Sequence, residues 1–270
     1  VLARDCVTTF LPFPQEPAVF GARCDYRPVK HSSHLILYIV PQLCGFLNTS
    51  DIRSIILNIN PENTNVILGN RCVTLWGSDH LNDTMCGNAV TVSPLSFYQV
   101  NTGQAERLYA KALEYAGSAD KTGDTLVDLY CGAGTIGLSM AKAFRRVIGV
   151  EIVPEAVRDA RFNASSSGIN NAEFYCGDAG DILSDLRSHG CSPDVIVLDP
   201  PRKGCSEETL RIVADAAPSR IVMISCNPAT AARDAKWLDS HGYPTVRVCG
   251  ADLFPRTKHV ECVVLMSREK

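Results

Sequence analysis

Apolar positions change their rhythm near residue 95. Before it, short runs such as "LILYIV" (35–40), "SIILNIN" (54–60), "NVILG" (65–69) and "CVTLWG" (72–77) are separated by Asn, Gly, Pro and Asp, the pattern of a small, mostly antiparallel β unit. From Ser96 onward, apolar strands alternate with amphipathic helices. The spacing predicts helices near 103–116, 135–143, 154–167, 180–188, 206–216 and 228–241, and strands near 125–130, 146–151, 172–177, 194–199, 220–226, 244–249 and 259–266. Such alternation requires crossover connections, hence an α/β fold with a mostly parallel, seven-stranded sheet covered on both faces. Two domains are expected, a small mostly-β subdomain over 1–95 and an α/β domain over 96–270. Sheets of this kind bind ligands at the carboxyl ends of their strands.

Composition changes this picture little. Apolar residues make up 46% and charged ones 20%, as in an ordinary globular protein. The greasiest stretch, "HLILYIVPQL", breaks after six or seven residues, too short to span a membrane, and no signal-peptide pattern is present. The chain begins at Val1 rather than Met, which reads as a fragment or a processed chain. No two of the twelve cysteines form a C-x-x-C pair, which disfavours zinc and a clustered iron–sulfur site. Cys176, Cys226 and Cys262 fall in apolar strands and read by default as small reduced core residues, which points to the cytoplasm. The net charge of −3 argues against a nucleic-acid partner, whose usual footprint is basic, unless a local patch compensates.

The strand ends carry the chemistry. "DLYCGAGTIG" (128–137) holds glycines at 132, 134 and 137, a turn shared by several nucleotide folds and therefore weak alone. Asp128 just before it suits S-adenosylmethionine, which brings an ammonium and a sulfonium, better than a pyrophosphate. Glu151 ends the next strand, where a carboxylate can accept from both ribose hydroxyls, and Asp178 follows the third, placed to meet an adenine amino group. Either acid alone reads equally well as a helix cap or a solvated loop residue. Acids at three successive strand ends point to a Rossmann-like class I methyltransferase domain. In "LDPPRKG" (198–204), Asp199 precedes two prolines that stiffen the turn into a wall fit for a flat ring, and Arg202 and Lys203 supply positive charge that could grip RNA phosphates.

Taken with "NPENTNVILG" (60–69), "SFYQVNTGQAERLY" (96–109), "SCNPATAARD" (225–234) and "DLFPRTKHVECVVLM" (252–266), these motifs make the chain resemble the RNA uridine-5-methyltransferases that use S-adenosylmethionine. The resemblance covers most of the chain. It implies that Gln99, Tyr130, Thr135, Glu151, Asp178 and Asp199 line the donor pocket, although the family often carries Asn at the Thr135 position and in some members at the Asp178 position. Tyr130 could stack on the adenine or pack in the core.

Uracil C5 is a poor nucleophile, so such enzymes first add a thiolate to C6. Cys226 looks like that nucleophile, with Asn227 as a helix cap and Pro228 as the first helical residue, a position that favours the thiolate. Glu261 is similar to the family's base, and a carboxylate in an apolar strand should have its pKa raised by burial. His259 reads as a substrate contact or a structural residue. The implied partner is structured RNA, with 23S ribosomal RNA ahead of the tRNA T-loop, and the target uridine must flip out to reach the thiol. Many relatives open with an RNA-binding β-barrel, and the ribosomal type adds a four-cysteine iron–sulfur motif. Neither shows here, and Cys6, Cys24 and Cys44 lack that spacing. A methyltransferase of another substrate class and an inactive RNA-binding fragment remain the alternatives.

Overall fold

The computed structural model describes residues 54–59, 69, 71–117 and 124–268. The expected run at 35–40, most of that at 65–69, and Cys6, Cys24 and Cys44 lie outside them. Chain contacts group residues 1–81 with 93–95 in one compact unit and 82–92 with 96–270 in another. In the first, β1 (Ser54–Ile59) pairs antiparallel with β2 (Arg71–Gly77), with a bulge between Ile55 and Ile56. Asn58 closes the ladder by exchanging two 2.8 Å hydrogen bonds with the Gly69 backbone.

Next in the chain are β3 (Leu81–Met85) and β4 (Asn88–Val92), joined by Cys86 and Gly87 at φ 52° and 77°. Two successive positive φ angles are what a tight two-residue hairpin turn requires. Residues 82–92 group with the second unit although they precede residue 95.

The rest of that unit follows the alternation of its apolar positions. In chain order come α1 (Thr102–Ala116), β5 (Thr125–Leu129), α2 (Thr135–Met140), β6 (Arg146–Glu151), α3 (Pro154–Ser166), β7 (Ala172–Cys176) and α4 (Ala179–Ser188). Then come β8 (Val195–Leu198), α5 (Glu207–Asp215), β9 (Arg220–Ser225), α6 (Pro228–Asp239), β10 (Thr245–Ala251) and β11 (Glu261–Ser267). Proline stands first in α3 and α6, where its missing N–H costs nothing. Ser206 and Asn227 accept from Thr209 N–H and Ala229 N–H to start α5 and α6.

The seven strands lie in the order β10-β11-β9-β8-β5-β6-β7. Pairings from β9 to β7 are parallel, whereas β11 runs antiparallel to both β9 and β10. Strands β5 and β8 are buried at every residue; β8 is an unbroken apolar run, whereas β5 also buries Thr125 and Asp128. One face of the sheet packs Leu183, Leu210 and Leu238 from α4, α5 and α6. The other packs Leu108 and Ala112 of α1, Met140 of α2 and Val90 of β4. The chain enters at β5, moves out to β6 and β7, and returns to β8 on the other side of β5. This reversal opens a crevice at the carboxyl ends of β5 and β8.

The predicted helix at 135–143 ends as an α-helix at Met140 and finishes in a 3₁₀ turn over Ala141–Ala143. The last strand begins at Glu261 rather than 259. Cys176 is exposed, so it is no core residue, while Cys262 is buried. All the described cysteines are free. No helix among the described residues is long and apolar enough to cross a membrane.

Candidate functional site

A cavity of about 620 Å³ opens at the switch between β5 and β8, a volume suited to a small ligand. It is lined by all eight residues the sequence singled out for catalysis or donor binding: Gln99, Tyr130, Thr135, Glu151, Asp178, Asp199, Cys226 and Glu261. Arg202 and Lys203 line it as well, whereas His259 stands behind Arg202.

The turn after β5 builds the floor. Tyr130, Gly132 and Gly134 all take positive φ, at 67°, 53° and 81°. Glycine adopts this freely, but Tyr130 does so only because its surroundings impose it. Its hydroxyl meets the Thr209 and Cys205 side chains, and its ring packs against the core as well as facing the cavity. Thr135 opens α2, with its hydroxyl 3.4 Å from that of Tyr109.

Glu151 ties the turn to β6: Oε2 accepts from Gly132 N–H at 3.0 Å and Oε1 from Val153 N–H at 2.9 Å. Asp178 caps α4, with Oδ1 accepting from Gly180 N–H at 2.8 Å and Asp181 N–H at 3.3 Å. Both acids therefore hold backbone and face the cavity at once. The third strand-end acid behaves differently. Asp128, read from the sequence as facing the ligand, is fully buried beneath the turn and is not part of the lining. Its Oδ2 accepts from Gly137 N–H at 2.9 Å, and its Oδ1 has no partner. Burial, opposed by that hydrogen bond and assisted by Glu151, pushes its carboxyl up to about 7.

Asp199 follows β8 and is anchored by its N–H to Leu129 O at 3.3 Å. Burial, then the nearby Asp128 and Glu261, raise its carboxyl well above the ordinary range. Gln99 is 7% exposed, and its Oε1 has no hydrogen-bond partner. A buried acceptor left open costs free energy unless a ligand or water donates to it. The lining is thus rich in acceptors and carboxylates, suited to a ligand that brings donors and positive charge.

On the other side, Cys226 comes directly after β9 and Glu261 opens β11, only 4% exposed. Burial raises the Glu261 carboxyl, against the pull of Arg202. The Cys226 thiol is raised by burial, by Glu261 and by Asp199, and lowered by Arg202. The start of α6 alone therefore does not make this thiol a thiolate, and protonation of Glu261 removes the largest charge opposing it. Arg202 Nη2 donates to His259 Nδ1 at 2.9 Å, which fixes the remaining proton of a neutral ring on Nε2.

Sequence reasoning missed the supports of these residues. Asn163, fully buried, donates to Thr91 O and Ala133 O at 3.1 Å each and accepts from Thr91 N–H at 2.7 Å, tying β4 to the glycine turn. An Asn on the face of α3 that buries Ala156, Val157 and Ala160 was the signal available. Helix α6 also clamps the loop after the two prolines. Asn227 Nδ2 and Thr230 Oγ1 donate to Arg202 O, Arg233 Nη2 donates to Lys203 O and Cys205 O, and Asp234 Oδ2 accepts from Cys205 N–H. No group of three or more metal-ligating side chains occurs among the described residues.

Residues 90–269 match the family described as tRNA (uracil-5-)-methyltransferase. An RNA methyltransferase of Bacillus cereus is 47% identical over 218 residues, which cover 81% of this chain and 47% of that protein. One of Oceanobacillus iheyensis is 46% identical over 212 residues, 78% of this chain and 46% of its own length. The chain thus spans about half the length of these relatives. Among solved structures, the Pyrococcus abyssi tRNA (uracil-54, C5)-methyltransferase in complex with S-adenosyl-L-homocysteine superposes with a TM-score of 0.63 at 30% identity, covering 80% of this chain and 51% of that one.

Proposed function

The chain belongs to the tRNA (uracil-5-)-methyltransferase family, and on that premise we propose that it methylates C5 of a uridine in structured RNA with S-adenosylmethionine as donor. The observation that carries this reading is the convergence of a thiol, Cys226, and a buried carboxyl, Glu261, on one cavity whose other side is acidic and holds an open acceptor on Gln99. Those residues fit the donor. Bound there, it supplies an electrophilic methyl group on a positively charged sulfur. Glu151 is assigned to the ribose hydroxyls, Asp178 to the adenine amino group, and Tyr130, Thr135, Gln99 and Asp199 to the rest of the donor's contacts.

The remaining steps belong to the chain's own side chains. The Cys226 thiolate forms a bond to C6, and the electrons of the C5–C6 double bond pass into an enolate that makes C5 nucleophilic. After C5 is methylated, Glu261 removes its proton. The electrons of that C–H bond restore the double bond, and the C6–S bond breaks to return the thiolate. Arg202, which pulls both Glu261 and Cys226 toward their charged forms, assists at either end of the sequence.

For the target, the motif resemblance supports 23S ribosomal RNA. The match to an enzyme of tRNA uracil-54 favours the tRNA T-loop as a second reading. RNA carrying 5-fluorouridine tests the mechanism, because fluorine at C5 cannot leave as a proton. A covalent protein–RNA complex that survives denaturing electrophoresis is expected from the parent chain and none from Cys226→Ala. Unchanged methylation by Cys226→Ala, or no adduct from a chain that methylates RNA, overturns it.

A further inference from the structure

The chain is acidic overall, yet it exposes four cations on two loops that meet beside the cavity through the Arg202–His259 hydrogen bond. Arg202 and Lys203 project from the loop after the two prolines, both exposed and both lining the cavity. Arg256 and Lys258 project from the loop that joins β10 to β11, also exposed. Among the described residues, Lys203, Arg256 and Lys258 have no ion-pair partner, and the Arg202 guanidinium makes its one hydrogen bond to His259, which joins the two loops.

The second loop is built to hold this display. Leu253, 1% exposed, anchors it, and Asn101 Nδ2 donates to Leu253 O at 2.8 Å. Phe254 N–H donates to Asp252 Oδ1 at 3.1 Å, which fixes the loop's one carboxylate against its own backbone. Phe254 O accepts from Thr257 N–H and Oγ1, and His259 N–H donates to Thr257 Oγ1 at 3.2 Å. Arg256 sits at the tip with φ 69°, a left-handed conformation that a long side chain takes only when the surrounding structure imposes it. Lys258 is three residues from Glu261, so their Cα atoms lie within roughly 11 Å of one another even if the chain is fully extended.

We propose that Arg256 and Lys258, with Arg202 and Lys203 on the loop joined to theirs by the Arg202–His259 hydrogen bond, form a phosphate-gripping lip that holds the RNA backbone beside the nucleotide entering the cavity. The proposal rests on the RNA reading of the site. It accounts for how an acidic chain can engage RNA: a preorganised cluster of unpaired cations releases counterions from phosphates without the whole surface being basic. Such contacts position the strand and carry no sequence information, so the lip sets affinity and register rather than the choice of uridine.

The test uses the full chain and a uridine-containing RNA hairpin, with binding measured from low to high salt. In Arg256→Ala/Lys258→Ala the slope of log affinity against log salt should become shallower by about 1 for each cation that meets a phosphate. Affinity for S-adenosylmethionine and the melting temperature should match the parent, and Arg256→Lys/Lys258→Arg should restore the slope. An unchanged slope and affinity, a loss not rescued by the charge-conserving pair, or a parent chain that binds no RNA overturns the lip. If the lip-dependent slope appears but no 5-methyluridine forms, the lip stands and the methylation reading falls.

Discussion

Glu261 and Cys226 stand one step beyond the last paired residues of an antiparallel ladder. Cys262 of β11 faces Ser225 of β9, so the next residue on each strand emerges from the same end of the sheet into the same cavity. The two are 35 positions apart in sequence but neighbours by register. Parallel strands alone would not bring the start of one strand to the end of another, so the antiparallel insertion of β11 is what makes the pair.

Removing the base should separate bond formation from bond breaking. Glu261→Gln is expected to form the Cys226–C6 adduct, in which C5 is methylated, and then to stall with the C5 proton in place, turnover being lowered about 10²- to 10⁴-fold. Rapid quenching followed by denaturing electrophoresis should show a methylated covalent complex accumulating. Full turnover by this variant would remove Glu261 from the proposed role. In the parent chain, the raised Glu261 and Cys226 groups both act as their deprotonated forms, so the rate should climb as pH rises through each.

The two duties of Asp178 can be divided. Ser caps a helix about as well as Asp but its side chain is shorter and does not reach as far into the cavity, so Asp178→Ser should keep stability within about 0.5 kcal/mol while weakening donor binding. Asp178→Ala should lose about 1 kcal/mol in addition. Calorimetric titration and urea unfolding read the two effects. Undiminished donor binding by Asp178→Ser would reduce this residue to a cap.

Asp128 makes stability depend on pH in an unusual direction. Its folded carboxyl titrates at about 7 against an ordinary 3.8, so the folded state holds the proton more tightly than the unfolded chain. The resulting contribution is complete below about pH 4 and lost as pH rises through about 7. The difference between those two values corresponds to about 4 kcal/mol at most. Urea unfolding at pH 5 and pH 8 should show the parent losing stability relative to Asp128→Asn, whose side chain stays neutral and still offers Gly137 N–H an acceptor. Parallel pH curves would place the titration elsewhere.

Gly204 is required by the clamp from α6. It sits at φ 78°, and a Cβ there would run into the Arg233 guanidinium and the Asp234 carboxylate. Gly204→Ala should cost about 1–3 kcal/mol by equilibrium unfolding, and should slow methyl transfer because the loop carrying Arg202 is displaced. Parental stability in this variant would show that the clamp yields without cost.

Apolar rhythm made most of this fold legible: from α1 to α6 the strands and helices begin within two residues of the expected positions, because alternation and caps are local signals. The cavity lining was legible for a related reason. Glu151, Asp178, Asp199 and Cys226 stand at or just after the carboxyl ends of strands, and strand ends can be counted, whereas Gln99, Thr135 and Glu261 were reached only through the motif resemblance. The supports were not. Asp234 meets the backbone of Cys205 across 29 positions and Asn163 meets Thr91 across 72, and no period links such pairs. Asp128 misled because a carboxylate two residues before a glycine turn can point up to a ligand or down under the loop, and only packing decides between them.

The place of β11 also sets an order of synthesis. It lies inside the sheet, between β9 and β10, and β10 has no other neighbour. A nascent chain that has emerged only as far as β10 already carries the thiol and the acidic floor, but its edge strand hangs unpaired and no proton acceptor stands beside the nucleophile. A chain that has emerged only as far as β10 therefore lacks both the partner of its edge strand and the carboxyl that stands next to Cys226.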